Sequence, residues 1–205
     1  MKVIGLTGGI GTGKSTAAEY LKAKGFAHID ADQIGRNMTA DHSPILKTLN
    51  DLFGPAGPFG KAGVEILEAP GVLDRKAMAD VVFSNPESRD KFNEIMFAAI
   101  IAEIKRQIAF YDREGCAYAL VDAPLLFESG ADTLCDAVIL ITADLEKRIE
   151  RVQLRDNLTR EEILSRIRNQ MEDAEKAQRA DYVVDNSGAL RDLFDALDRV
   201  FVSII

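Results

Sequence analysis

The sequence predicts an α/β protein: a five-stranded parallel sheet flanked by helices, with a long helical insertion and a small helical lid. Three observations predict it. The octapeptide Gly8-Gly9-Ile10-Gly11-Thr12-Gly13-Lys14-Ser15 follows an apolar run and opens a helical one. Five short, continuous apolar runs recur along the 205 residues, as expected of strands covered on both faces. Helical stretches separate them, the arrangement that right-handed crossovers between parallel strands require.

Val3-Ile4-Gly5-Leu6 reads as the first strand, and Thr16 to Lys24 as the helix behind the octapeptide. The second run, Phe26-Ala27-His28-Ile29, ends at Asp30. An excursion over about residues 40 to 115 follows. There Ser43-Pro44 predicts the N-cap and first position of a helix. A Gly/Pro-rich loop occupies Gly54 to Gly60, and Asn85-Pro86 starts a long helix that ends before Gly115. Its apolar residues Phe92, Ile95, Met96, Ala99, Ile100, Ile104 and Ile108 recur every three or four positions. So much sequence between two strands suggests an acceptor-binding insertion, with a purely structural helical layer as the alternative. The third run, Tyr118 to Val121, ends at Asp122. The fourth, Ala137 to Ile141, ends near Thr142, and the fifth, Tyr182 to Val184, near Asp185. Between these last two, Arg148, Arg151 and Arg155 are spaced to share a helix face. Thr159-Arg160-Glu161-Glu162 has the capping-box pattern that starts a further helix. Two helices joined by a short polar turn suit a lid over phosphates, although a charge-rich helix is also what a solvated face looks like.

The octapeptide fits G-x-x-x-x-G-K-[ST], with Gly8, Gly13, Lys14 and Ser15 at the fixed positions. Glycines let a backbone fold around an anion with its N–H groups pointing inward. Lys14 supplies a point charge for β- and γ-phosphates, and the Ser15 hydroxyl suits Mg²⁺. Phosphates then lie at a helix N-terminus, where the dipole and free N–H groups favour negative charge. Asp30, Asp32 and Asp122 all fall at strand carboxyl ends, where ligands gather in parallel sheets. A carboxylate at Asp32 suits a general base, and a cap on a helix from Gln33 to Met38 is its structural alternative. Asp30 reads as structural. Asp122 ends its strand in the Walker B manner, suited to Mg²⁺ through water or to plain solvation.

The net charge of −8 argues against a general nucleic-acid binder. Hydrophobic content of 47% with 28% charged residues is that of a soluble globular protein. No apolar run approaches the roughly 20 residues of a membrane span, and no signal peptide is recognisable. Cys116 and Cys135 form no metal or CxxC pattern and read as reduced and structural, so a cytoplasmic protein is expected. No Asn-Lys-x-Asp guanine signature appears, which argues against a GTPase switch.

Taken together, Gly5-Leu6-Thr7-Gly8-Gly9-Ile10-Gly11-Thr12-Gly13-Lys14-Ser15-Thr16 and Ile29-Asp30-Ala31-Asp32 resemble the dephospho-CoA kinase family. So do Leu73-Asp74-Arg75, Pro124-Leu125-Leu126-Phe127-Glu128, Arg155-Asp156 and Ala180-Asp181-Tyr182-Val183-Val184-Asp185-Asn186. The P-loop alone suits many kinases; these segments in combination are specific. The resemblance implies transfer of the ATP γ-phosphate to the ribose 3′-hydroxyl of dephospho-CoA, the final step of coenzyme A synthesis. It implies a single P-loop kinase domain with its core at about 1–40 and 116–205, a CoA-binding insertion at about 41–115 and a lid at about 145–172. ATP would be held by Gly8, Gly9, Gly11, Thr12, Gly13, Lys14, Ser15 and Thr16, with Asn186 and Gly188 near the adenine. Asp32, Lys14 and Arg155 would be catalytic, and Ser15 and Asp122 would serve Mg²⁺. Pro124, Leu125, Leu126 and Glu128 would join Asp32 on the acceptor side. The implied partners are ATP and dephospho-CoA, with neither nucleic acid nor membrane. Two departures fall in the insertion: Phe97-Ala98 stands where the family usually has His-Pro, and the loop over Gly54 to Ala69 is longer.

Overall fold

The computed structural model describes residues 1–204. Its elements run β1 (Lys2–Thr7), α1 (Lys14–Ala23), β2 (Ala27–Asp30), α2 (Ala31–Met38), α3 (Ile45–Phe53), β3 (Leu67–Ala69), β4 (Val72–Leu73) and α4 (Arg75–Val82). There follow α5 (Pro86–Arg113), β5 (Tyr118–Asp122), β6 (Ala137–Thr142), α6 (Leu145–Asp156), α7 (Arg160–Arg168), α8 (Asp173–Arg179), β7 (Tyr182–Asp185) and α9 (Leu190–Ile204). Two compact units share the chain: Met1–Asp30 with Ile104–Ile205, and Ala31–Glu103.

The first unit holds the five-stranded sheet, ordered β2-β5-β1-β6-β7, with every neighbouring pair parallel. The predicted strands are therefore present, and β1 lies in the middle. Period-two alternation sends Ile4 and Leu6 of β1 to one face. There they join Leu120, Ile139, Ile141 and Val184 under Ala17, Ala18 and Leu21 of α1 and Leu193, Leu197 and Ile204 of α9. Burying each large aliphatic side chain contributes about 1.5–3 kcal/mol, so this layer anchors the strand that leads into the P-loop. Gly5 faces the other way, where a Cβ would come within 2.7 Å of Leu126 and 3.0 Å of Cys135 Sγ. Burial, then the charges of Asp132 and Asp136, push the Cys135 thiol up to about 12. Both cysteines are free, and Cys135 is chemically quiet.

The second unit has its own core, built from Leu46, Leu49 and Phe53 of α3, Met78, Val81 and Val82 of α4, Met96 of α5, and Ile66 just before β3. Asn85 caps the start of α5, its Oδ1 accepting the Ser88 N–H at 2.8 Å, and the helix runs unbroken to Arg113. The expected cap at Ser43 is corrected: α3 starts at Ile45, with Pro44 in the capping position at φ −57° and no side-chain cap. Proline carries no acceptor to offer a free N–H. Strands β3 and β4 form an antiparallel hairpin that the pattern of the sequence did not announce, because each is only two or three residues long. Asp74 then caps α4 by accepting the Ala77 N–H at 2.9 Å.

Candidate active site

The octapeptide forms a loop between β1 and α1, the helix beginning at Lys14. Gly11 and Gly13 have φ of +80° and +91°, the left-handed region in which a side chain is strained. Crowding adds a second reason. A Cβ on Gly11 would lie 2.6 Å from the Arg148 carbonyl oxygen, and one on Gly13 would overlap Asn186 Nδ2. These glycines thus allow the protein wall to press on the outside of the loop. Thr12 is buried, its N–H and hydroxyl both donating to the Gly9 carbonyl at 3.3 and 2.9 Å. Asn186 Nδ2 donates to the Thr12 carbonyl at 2.8 Å. In a trans peptide C=O and N–H point in opposite directions, so the Gly13 N–H is turned away from Asn186. Ser15 and Thr16 lie exposed in the first turn of α1, where N–H groups have no partner within the helix.

Lys14 forms an ion pair with Asp122 Oδ1, and His28 Nε2 lies 3.1 Å from Asp122 Oδ2. Strand pairing makes the meeting possible: Leu6 aligns with Asp122 across β1 and β5, and Asp30 with Asp122 across β2 and β5. Burial of Asp122 pushes its carboxyl up, but the His28 hydrogen bond and the Lys14 charge outweigh it and hold the group below the ordinary aspartate value. His28 was not singled out from the sequence. A lone histidine in an apolar run signals nothing until register sets it next to a carboxylate.

The segment after β5 is tied down from outside. The Pro124 carbonyl accepts from Thr7 Oγ1 at 3.3 Å and from Lys176 Nζ at 3.1 Å. Lys176 is fully buried and pairs at 3.1 Å with Glu128 Oε1, which also accepts the Met171 N–H at 3.1 Å. Leu125 is exposed at the surface, whereas Leu126 is fully buried, beneath Gly5. Lys176 escaped notice in the sequence because a lysine in a short charged helix looks solvated.

The three arginines of α6 separate. Arg148 is buried and pairs with Asp173 at 2.6 Å, while Arg151 Nη2 donates to the Asn186 carbonyl at 2.8 Å. Arg155 is exposed and grips its neighbour Asp156 with two bonds of 2.7 Å. The capping box at Thr159 and Glu162 is formed. Gly188 precedes α9 beside Asp192, whose Oδ2 accepts the Ala189 N–H at 2.9 Å. The first unit therefore brings together the P-loop, Asp122 and Asn186. Asp32 belongs to the second unit, two residues beyond the end of β2. It lies inside the first turn of α2, which begins at Ala31, and so is not the cap of a helix starting at Gln33.

Comparison with known proteins adds to this geometry. The dephospho-CoA kinase family profile matches residues 2–192. A dephospho-CoA kinase of Corynebacterium glutamicum is 36% identical over 202 residues, spanning 98% of this chain and 96% of its own length. The crystal structure of the Thermus thermophilus protein TT1252 superposes with a TM-score of 0.80 at 32% identity, over 100% of this chain and 98% of that one. A dephospho-CoA kinase of Campylobacter jejuni superposes with a TM-score of 0.70 at 30% identity and the same coverage.

Proposed function

Because the chain belongs to the dephospho-CoA kinase family and phosphorylates dephospho-CoA with ATP in coenzyme A synthesis, we propose how its residues divide that work. The observation that carries the reading is the P-loop with Lys14 set beside Asp122. The backbone N–H groups of Gly11 and of Gly13 to Thr16 cradle the β- and γ-phosphates, and Lys14 exchanges its partner Asp122 for them. Asn186 and Gly188 border the adenine side.

Ser15 and Asp122 fit Mg²⁺: an exposed hydroxyl and a carboxylate kept ionised are hard oxygen donors. When bound there with the nucleotide, Mg²⁺ supplies charge neutralisation for the phosphates. On the acceptor side, Asp32 orients the ribose 3′-hydroxyl and takes its proton as the new O–P bond forms and ADP departs with the old one. Pro124, Leu125, Leu126 and Glu128 of the first unit also serve the acceptor, Leu126 from its buried place beneath Gly5. Arg155 leaves Asp156 to meet the transferring phosphoryl group, a step a lid performs on closing. A net charge of −8 does not favour a general nucleic-acid partner, and no helix among the described residues is long and apolar enough to cross a membrane. The family's substrates, ATP and dephospho-CoA, support a cytoplasmic enzyme acting on small molecules.

The deciding assay measures ADP production with dephospho-CoA, AMP, CMP and no acceptor in parallel. Turnover with dephospho-CoA far above the other three is expected. Equal turnover with AMP or CMP would overturn the acceptor assignment, and ADP release independent of any acceptor would mark an ATP hydrolase.

A further inference from the structure

Ile10, at the crown of the loop, has both of its backbone groups held by side chains more than a hundred residues away. Arg148 Nε donates to the Ile10 carbonyl at 2.8 Å, and Gln170 Oε1 accepts the Ile10 N–H at 3.1 Å. We propose that Arg148 and Gln170 are positioning residues for the phosphate cradle, clamping Ile10 and thereby aiming the Gly11 N–H. The proposal rests on the reading of the P-loop as that cradle.

The argument is one of peptide geometry. The Ile10 carbonyl and the Gly11 N–H belong to one trans peptide and point in opposite directions. A guanidinium that holds the carbonyl therefore turns the N–H to the side away from Arg148. Asn186 treats the Thr12 carbonyl and the Gly13 N–H in the same way. Ile10 sits between Gly9 and Gly11, so the unrestrained backbone would have wide freedom there. Two anchors remove that freedom before the ligand arrives, which lowers the ordering cost of binding.

The clamp is itself rigid. Arg148 is only 4% exposed, and its Nη1 is fixed by Asp173 at 2.6 Å. Its guanidinium lies so close to Gly9 that a Cβ there would overlap Nη2. Gln170 begins a strap that continues through Met171, whose N–H reaches Glu128, to buried Lys176 on Glu128 and the Pro124 carbonyl. The strap follows directly on α7, so the last residues of the lid helices end on the cradle. A merely structural role for Gln170 would predict loss of stability without preference between ligands; a positioning role predicts loss at the nucleotide alone.

The test uses Gln170→Met, which keeps the unbranched stem and removes the acceptor, and Arg148→Lys, which keeps a cation for Asp173 and loses the planar fork. ADP binding is measured by calorimetry, with steady-state KM for both substrates and amide hydrogen exchange at Ile10. In Gln170→Met the ADP Kd and the KM for ATP should rise about tenfold, the scale of one hydrogen bond, with faster exchange at Ile10, whose N–H loses its acceptor. Its KM for dephospho-CoA should stay within about twofold and its Tm within about 2 °C. Arg148→Lys should weaken ADP at least as much. ADP affinity within about twofold of wild type in both variants would overturn the proposal, as would equal losses for both substrates accompanied by a fall in Tm. Failure of the wild-type protein to bind ADP would instead overturn the cradle assignment, and this proposal with it.

Discussion

Lys14 and Asp122 form an ion pair across 108 residues of sequence, and His28 occupies the second oxygen of the same carboxylate. The pair is about nine-tenths buried on the Asp122 side and less so at Lys14. A lysine held this way is already stretched toward the strand end where phosphates would arrive. In the proposed site, a carboxylate and a polyphosphate would compete for one ammonium as the nucleotide binds.

Lys14→Ala should fold and lose turnover by about 10²- to 10³-fold or more, the scale of removing one preorganised charge partner from a developing oxyanion. His28 still partners Asp122 in that variant, so the carboxylate is not stranded. Circular dichroism and ADP release on one preparation check this. Unaltered ADP release by the folded variant would rule out the site.

The depressed Asp122 carboxyl makes a statement about pH. A group whose folded pKa lies below its unfolded value contributes stability that is present above the unfolded value and lost as pH falls through the folded one. Wild type should therefore exceed Asp122→Asn in stability at about pH 5, and the gap should narrow as pH falls below the ordinary aspartate value of 3.8. Urea denaturation across that range measures it. A gap that stays constant or widens in acid would contradict the assigned pairing.

Asp32→Asn separates a base from a structural carboxylate. General-base contributions are typically about 10²- to 10⁴-fold, so kcat should fall by that much while ATP affinity is retained. The position is in the first turn of α2, where a negative charge gains at most about 0.3–1 kcal/mol from the helix dipole. Melting should shift little. A kcat within about threefold of wild type would withdraw the base assignment.

Phe97-Ala98 lies within α5, which is continuous from Pro86 to Arg113, and Ala98 is exposed. Phe97→His should fold normally and move KM for dephospho-CoA more than KM for ATP. Adding Ala98→Pro removes a helix hydrogen bond and should cost about 3 kcal/mol, unless α5 kinks to absorb it. Steady-state kinetics and denaturant melts on the two variants distinguish these effects. A change confined to KM for ATP would contradict an acceptor-side role.

Some of this molecule was readable in the chain because the cause is local. The P-loop pattern, the apolar runs of β1, β5, β6 and β7, the start of α5 at Asn85-Pro86 and the Thr159 capping box each depend on neighbours within a few residues. Period, capping chemistry and glycine spacing are properties of short segments, and they carried the five-stranded sheet and the nucleotide loop. The tertiary structure alone decided who meets whom. His28 reaches Asp122 across 94 residues, Gln170 reaches Ile10 across 160 and Asn186 reaches Thr12 across 174. Among three arginines of one helix, it buried Arg148 on Ile10, set Arg151 on the Asn186 carbonyl and left Arg155 on its neighbour. Helical spacing says only that such side chains lie close in direction. Which of them finds a carbonyl, a carboxylate or water is set by strand register and by the packing of segments far apart in sequence.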